Sequence, residues 1–218
     1  QRFPQARISW IVEKPAYELL TNNPHIDEII IFDKPQFKSL AGLLQNAPTF
    51  VRELRSHHFD LALDLQGLFK SAAIGVLSGA PQRYVYCNAR ECSHLFAKKV
   101  CGSNESGHIV EQYLDVARAL GATVTEAEWT IFPTVQEQEA VAAIAAQVSL
   151  SLNEPYVVLA PGANWSNKRW PTAHFSQLAD WLAAQGVKAV LTGGAGDREL
   201  AEQIISKSKS APVNFTGQ

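Results

Sequence analysis

The sequence predicts an α/β protein whose strands form parallel sheets in two successive halves. Short runs rich in β-branched and aromatic residues alternate with segments whose apolar residues recur about every 3.6 positions, a pattern typical of βαβ units. The 218 residues, 46% of them hydrophobic, suffice for one large core or two small ones. No apolar run approaches the roughly 18 residues of a spanning helix.

The predicted elements follow in order along the chain. We expect strands at residues 8–12, 28–32, 61–65, 83–86, 156–160, 187–192 and 213–215. Helices between them should end at Gly121 and Gly186, and another should begin at Asp197, which is a good N-cap residue. Residues 133–153 are predicted to form an Ala/Gln/Glu-rich helix and a polar stretch, and a new strand begins after Pro155. We therefore expect domains at residues 1–152 and 153–218.

The most informative segment is the loop of residues 160–171, between a predicted strand and a helix. Gly162 and Ala163 leave its backbone accessible, and Asn164 offers hydrogen bonds. Lys168 and Arg169 add positive charge beside a helix N-terminus, which itself attracts anions. The loop therefore fits a phosphate or pyrophosphate, although a polar loop whose two tryptophans only pack fits equally well.

A second glycine-rich loop, at residues 193–199, has the same placement after a strand. Asp197 or Glu199 could accept hydrogen bonds from sugar hydroxyls, or Asp197 could serve only as a helix cap. The loop lacks the G-x-G-x-x-G pattern, which disfavours a dinucleotide-binding oxidoreductase.

A third segment, residues 64–71, follows a predicted strand in the first half. Gln66 and Gly67 should form the turn, and Lys70 should lie in the first helical turn, where a cation opposes the helix dipole unless an anion binds nearby. Asp64 could be a base or could pair with Lys70; we favour a structural role.

The charge distribution and the remaining reactive side chains restrict which ligands and partners the protein can have. The formal net charge is −2, which gives no indication of a nucleic-acid partner. Residues 34–99 contain nine basic and four acidic residues, a local excess that favours an anionic partner, although scattered solvated lysines would give the same count. No metal-ligand spacing appears. The three cysteines, Cys87, Cys92 and Cys101, are expected to be ordinary small residues in a reducing compartment.

Taken together, these motifs resemble the bacterial heptosyltransferases of glycosyltransferase family 9. The resemblance rests on residues 10–13, 64–71, 88–91, 108–111, 161–171 and 193–197. It implies a GT-B fold of two Rossmann-like domains and no cofactor or metal. It also implies an enzyme that is cytoplasmic, either free or peripheral at the inner face of the inner membrane. It also implies transfer of heptose from ADP-heptose to the anionic inner core of lipopolysaccharide, with neither a nucleic-acid partner nor a transmembrane segment.

The resemblance also assigns roles to individual residues. Lys168 is expected to be catalytic at the donor phosphates. The other residues expected to bind the donor are Ala163, Asn164, Asp197 and Glu199, although Ala163 and Asn164 replace threonines of some members and Arg198 aligns with the acidic donor contact. The residues expected to bind the acceptor are Gln66, Gly67, Lys70, Arg90 and His108.

Two family features are not found in these 218 residues, so both domains are expected to be incomplete. The Gly-Asp loop that supplies the general base would precede Gln1, and the Asp-Thr-Gly donor motif would follow Gln218. The first heptosyltransferase is favoured, because of residues 10–13 and 88–91. A heptose-accepting second or third enzyme and a non-catalytic nucleotide-sugar-binding module remain alternatives.

Overall fold

The chain divides into two compact units, residues 1–132 and 133–218, and the computed structural model describes residues 3–124 and 130–218. Both units are mixed α/β, and all strand pairs in the described segments are parallel. The expected boundary was 152/153. The helix before that point belongs to the second unit, because Ala145 and Leu150 pack against Val190.

The first unit contains two parallel sheets. Strands β1 (Ser9–Glu13) and β2 (Glu28–Phe32) form one sheet. Strands β3 (Leu61–Asp64), β4 (Gln82–Tyr86) and β5 (Lys98–Val100) form the other, in that order. Helices α1 (Leu40–Ser56), α2 (Phe69–Leu77) and α3 (Ile109–Ala119) follow β2, β3 and β5.

The core of this unit explains why the helices lie on the sheets. Phe50 and Leu54 of α1 are buried with Ile30 and Phe32 of β2, and Ile74 of α2 packs against this cluster. A second cluster joins Tyr86, Val100 and Val116. Burial of such side chains contributes roughly 1.5–3 kcal/mol each relative to leaving them exposed.

The second unit is a regular alternation of helices and strands. It begins with α4 (Val135–Gln147) and continues through β6 (Tyr156–Leu159), α5 (Thr172–Ala184), β7 (Lys188–Leu191), α6 (Arg198–Lys207) and β8 (Val213–Asn214). The sheet order is β6-β7-β8. Leu191, Ala201 and Ile204 are fully buried between sheet and helices.

Most predicted elements are confirmed within one or two residues. Gly121 and Gly186 follow α3 and α5 with positive φ angles of 88° and 74°, as helix-ending glycines do. Strand β5 was not predicted, since it has three residues and two of them are exposed lysines. Its pairing with β4 gives it its extended form.

Candidate functional site

In the first unit, the turn after β3 is built by a half-buried carboxylate. Asp64 accepts hydrogen bonds through Oδ1 from the backbone N–H groups of Gln66 (3.1 Å) and Gly67 (2.9 Å). Gly67 has φ +64°, a backbone conformation that residues with a side chain rarely adopt. A Cβ at this position would also lie only 3.2 Å from the Cα of Ala89. The predicted turn is confirmed, and Asp64 has a structural part in it through these backbone hydrogen bonds.

Lys70 lies in the first turn of α2, as expected, but its partner differs from the one considered. Its ammonium pairs with the Glu13 carboxylate at the end of β1 and lies 5.9 Å from the centre of the Phe32 ring. The hydrogen bond from Lys70 holds the pKa of Glu13 below its usual value. The alternative Asp64–Lys70 pair is therefore wrong, because β1 brings another carboxylate to the ammonium.

The loop after β4 presents Arg90 beside the same turn. The Arg90 N–H donates to the Gly67 carbonyl (2.8 Å), and Ser93 Oγ donates to that carbonyl as well (2.9 Å). The Arg90 side chain is exposed and makes no hydrogen bond or ion pair with the described part of the chain. Glu91 accepts a hydrogen bond from the Phe69 N–H at the start of α2 (3.1 Å). The structure thus brings Arg90 next to the Gln66–Gly67 turn, with its guanidinium available.

His108 begins α3 as its N-cap, and its Nδ1 accepts a hydrogen bond from Val110 N at 3.3 Å. The first turn of α3 is tied to the Arg90 loop, since Asn88 donates to Gln112 at 2.6 Å. His108 therefore caps α3, and its contact with an acceptor stays a prediction.

Sequence reasoning missed the buried carboxylate of Asp115 in α3. It accepts hydrogen bonds from the backbone and side chain of Asn104 (3.0 and 2.9 Å), from Arg118 (2.9 Å) and from Tyr86 (3.3 Å). Burial raises its pKa, but these hydrogen bonds outweigh burial and lower it overall. The network fixes the segment between β5 and α3. In the sequence, a single acidic residue in a helix gives no indication that such a network exists.

Two cysteines also depart from expectation. Cys87 and Cys101 directly follow β4 and β5, whose register pairs Tyr86 with Val100. Their Cα atoms are therefore 5.1 Å apart, and the two residues form a disulfide. The expectation of three ordinary cysteines is wrong for this pair, whereas Cys92 is free and exposed.

In the second unit, the loop between β6 and α5 is held closed at its base. Arg169 donates through Nε to the Ala163 carbonyl (3.0 Å), and a 3₁₀ turn, Ser166–Lys168, lies between them. Asn164 and Lys168 are exposed, and the Lys168 side chain makes no hydrogen bond or ion pair within the described segments. Of the two adjacent cations, Arg169 therefore holds the loop and Lys168 is available.

The glycine-rich loop after β7 is joined to this first loop by Asp197. Its carboxylate accepts a hydrogen bond from Gly194 N (3.0 Å), and a Cβ on Gly162 would collide with it. Asp197 occupies the N-cap position of α6 without a side-chain bond to that helix. The structure thus brings Ala163, Lys168 and Asp197 to one edge of the sheet, the edge where parallel α/β sheets bind ligands.

The neighbouring residues of α6 have other partners. Glu199 accepts a hydrogen bond from Gln203 at 3.3 Å. Arg198 donates to the Gly217 carbonyl at 2.9 Å, and Gly217 N donates to Gly193 at 2.9 Å, so the segment after β8 meets the same edge. A sugar contact by Glu199 stays a prediction.

Residues 3–124 and 130–218 contain no group of three His, Cys, Asp or Glu side chains arranged to hold a metal ion. No helix among them is both long and apolar enough to cross a membrane.

Comparison with known proteins decides the family. Residues 48–218 match the family model of glycosyltransferase family 9 (heptosyltransferase). The chain belongs to this family. It is 28% identical to lipopolysaccharide heptosyltransferase 2 of Escherichia coli K12 over 210 residues, which cover 94% of this chain and 60% of that protein. It is 27% identical to lipopolysaccharide heptosyltransferase 1 of Pseudomonas aeruginosa, covering 96% and 59%.

Solved structures agree with the fold of this family 9 chain. A glycosyltransferase family 9 protein from Veillonella parvula superimposes with a TM-score of 0.84 at 21% identity, over 99% of this chain and 62% of that one. The E. coli heptosyltransferase WaaC with ADP superimposes with a TM-score of 0.72 at 22% identity, over 98% of this chain and 66% of that one. The fold is therefore GT-B-like, and the chain spans about 60% of the curated relatives it matches.

The comparisons do not single out one type within the family. Heptosyltransferases 1, 2 and 3 all match, at 27%, 28% and 25% identity. The expected preference for the first enzyme is therefore not supported over the second or third.

Proposed function

We propose that the protein transfers heptose from ADP-heptose to the inner core of lipopolysaccharide. The observation that carries this proposal is the pair of loops that meet where Asp197 lies against Gly162, in a glycosyltransferase family 9 chain, with the Lys168 ammonium exposed between strand and helix. An exposed cation on a braced loop beside a helix N-terminus fits a diphosphate.

In this proposal, the second unit binds the donor. Lys168 contacts the diphosphate, while Ala163, Asn164, Asp197 and Glu199 border the nucleotide sugar. During transfer, the acceptor oxygen forms a bond to the anomeric carbon, and the bond from that carbon to the ADP oxygen breaks. ADP leaves with the electron pair, and the acceptor hydroxyl proton passes to a base. Lys168 stabilises the negative charge that develops on the departing diphosphate.

The first unit, in turn, binds the acceptor. The exposed Arg90 guanidinium and the Lys70 ammonium border the Gln66–Gly67 turn, and a planar guanidinium matches a carboxylate. His108 caps α3, whose first turn is tied to the Arg90 loop. The exposed Arg90 guanidinium fits an acceptor that carries sugar carboxylates, as 3-deoxy-octulosonic acid does. We also propose that the enzyme works in the cytoplasm at the inner face of the inner membrane, where a lipid-linked acceptor would be found.

The test uses the intact protein with ADP-heptose and two acceptors. One is lipid A carrying 3-deoxy-octulosonic acid, and the other carries one heptose in addition. We expect ADP release and an acceptor mass increased by one heptosyl group with the first acceptor. Turnover with the second acceptor alone would support heptosyl transfer and would assign the enzyme to the heptose-accepting type. Absence of transfer with both acceptors would contradict the proposal.

A further inference from the structure

The loop between β6 and α5 contains two tryptophans with different surroundings. Trp170 stacks on the His174 ring, with centroids 5.3 Å apart, and meets the edge of Phe175 at 5.1 Å. Trp165 is 68% exposed and makes no ring contact or side-chain hydrogen bond within the described parts of the chain. Trp170 thus packs against α5, whereas packing does not explain Trp165.

The backbone brings Trp165 next to the cation of the same loop. The Lys168 N–H donates to the Trp165 carbonyl at 3.0 Å, which holds the two Cα atoms within about 7 Å, the span of one turn. The hydrogen bond from Arg169 to Ala163 closes the loop around this turn. An exposed indole and an exposed ammonium are therefore carried by one braced turn at the ligand-binding edge of the sheet.

An indole beside a cation has the chemistry to bind a nucleoside diphosphate. The ammonium attracts the phosphates, and the indole face can stack on the base, because every nucleobase presents a π face. Stacking on an exposed ring also removes apolar surface from water on both partners.

We propose that Trp165 is the base-stacking platform of the donor site, which binds the adenine of the nucleotide sugar while Lys168 binds its diphosphate. This inference rests on the proposed function, because it requires the donor to bind at this loop. Trp165 determines affinity for the base, and the contact is made through the ring face rather than through hydrogen bonds to the base edge.

The test measures binding to the intact protein by calorimetry, with ADP and with pyrophosphate, which lacks a base. Trp165→Ala should weaken the binding of ADP roughly five- to hundredfold, a range typical of losing one stacked base. It should leave the affinity for pyrophosphate unchanged. Trp165→Phe should retain most of the affinity, because it keeps an aromatic face. Lys168→Ala should weaken the binding of both ADP and pyrophosphate. Trp181→Ala is the matched control, since Trp181 is 60% exposed but lies towards the end of α5.

Each result decides between the two proposals. If the parent protein binds ADP and Trp165→Ala binds it equally well, Trp165 does not stack on the base. The proposal that the donor binds at this loop is then unaffected. If Trp165→Ala weakens pyrophosphate as much as ADP, the residue supports the loop and does not stack on the base, which also overturns the inference. If the parent binds neither probe, the proposed donor site fails and the platform fails with it.

Discussion

Lys70 and Glu13, 57 residues apart in the sequence, form an ion pair that joins the start of α2 to the end of β1. The pair holds the ammonium near the Phe32 ring. An ammonium has three N–H donors, so pairing with one carboxylate leaves donors for an acceptor anion. Lys70 is therefore fixed in position without being fully satisfied.

Replacing Lys70 with Ala should raise the KM for the anionic acceptor roughly tenfold or more, because a charge-assisted contact is lost. The KM for ADP-heptose should change little. The change also leaves the Glu13 carboxylate uncompensated, and it would repel the acceptor. The double variant Glu13→Gln with Lys70→Ala should therefore recover part of the loss in steady-state kinetics. An increase confined to the donor KM would contradict the assignment of the first unit to the acceptor.

Arg90 tests the geometry of acceptor recognition and not only its charge. Arg90→Ala should raise the acceptor KM, and Arg90→Lys should restore only part of the affinity, because a point charge cannot make a bidentate contact with a carboxylate. Lys99→Ala is a suitable control, as Lys99 is exposed in β5. Equal KM values for the parent and both Arg90 variants would exclude a contact with the acceptor.

Lys168→Ala should lower kcat/KM for ADP-heptose about ten- to hundredfold, since the ammonium stabilises the departing diphosphate. Lys209→Ala provides a matched control, because Lys209 is an exposed lysine of the same unit. The measurement is the rate of ADP release at varied donor and saturating acceptor. Kinetics identical to those of the parent would mean that Lys168 is only a solvated surface residue.

Local features of this fold were predictable from the sequence, whereas long-range partners were not. The Gly67 turn, the helix ends at Gly121 and Gly186 and strand 28–32 depend on residues close together in the chain. The partner of Lys70 depends on which strand end lies beside α2, and the sequence does not encode that locally. The buried face of α3 was missed for a related reason. Gln112 and Asp115 are buried there through hydrogen bonds to other segments. The apolar side chains of Tyr113 and Leu114, which hydrophobicity alone would place in the core, are only half-buried.

The Cys87–Cys101 disulfide gives a prediction on stability. It closes a loop with a sequence separation of 14, for which chain entropy predicts about 3 kcal/mol of stabilisation. Cys101→Ser should lower the Tm of the first unit by roughly 10 °C, and reducing agent should lower that of the parent similarly. Cys92→Ser should leave the Tm unchanged, since Cys92 is free and exposed. Alkylation of unreduced protein should label Cys92 and leave the pair unmodified; labelling of Cys87 and Cys101 would show that the bond does not form in solution.

Acid stability of the second unit should depend on Asp180. Its Oδ1 accepts hydrogen bonds from Ser208 Oγ (2.6 Å) and from the backbone N–H groups of Lys209 and Ser210 (2.8 Å each), so it joins α5 to the segment after α6. These bonds, above all the one from Ser208, lower the pKa of Asp180 from 3.8 to about 2.

Because the pKa of Asp180 is lower in the folded state than in the unfolded chain, its charged form stabilises the fold at pH values above about 4. This contribution is lost as the pH falls from about 4 towards 2. Urea unfolding should therefore show Asp180→Asn to be less stable than the parent at pH 7, with the difference shrinking across that acidic range. Glu202→Gln, at an exposed carboxylate of α6, should not show this trend. A difference between Asp180→Asn and the parent that stays constant from pH 7 to pH 2 would mean that the lost contacts, and not the charge, account for the effect.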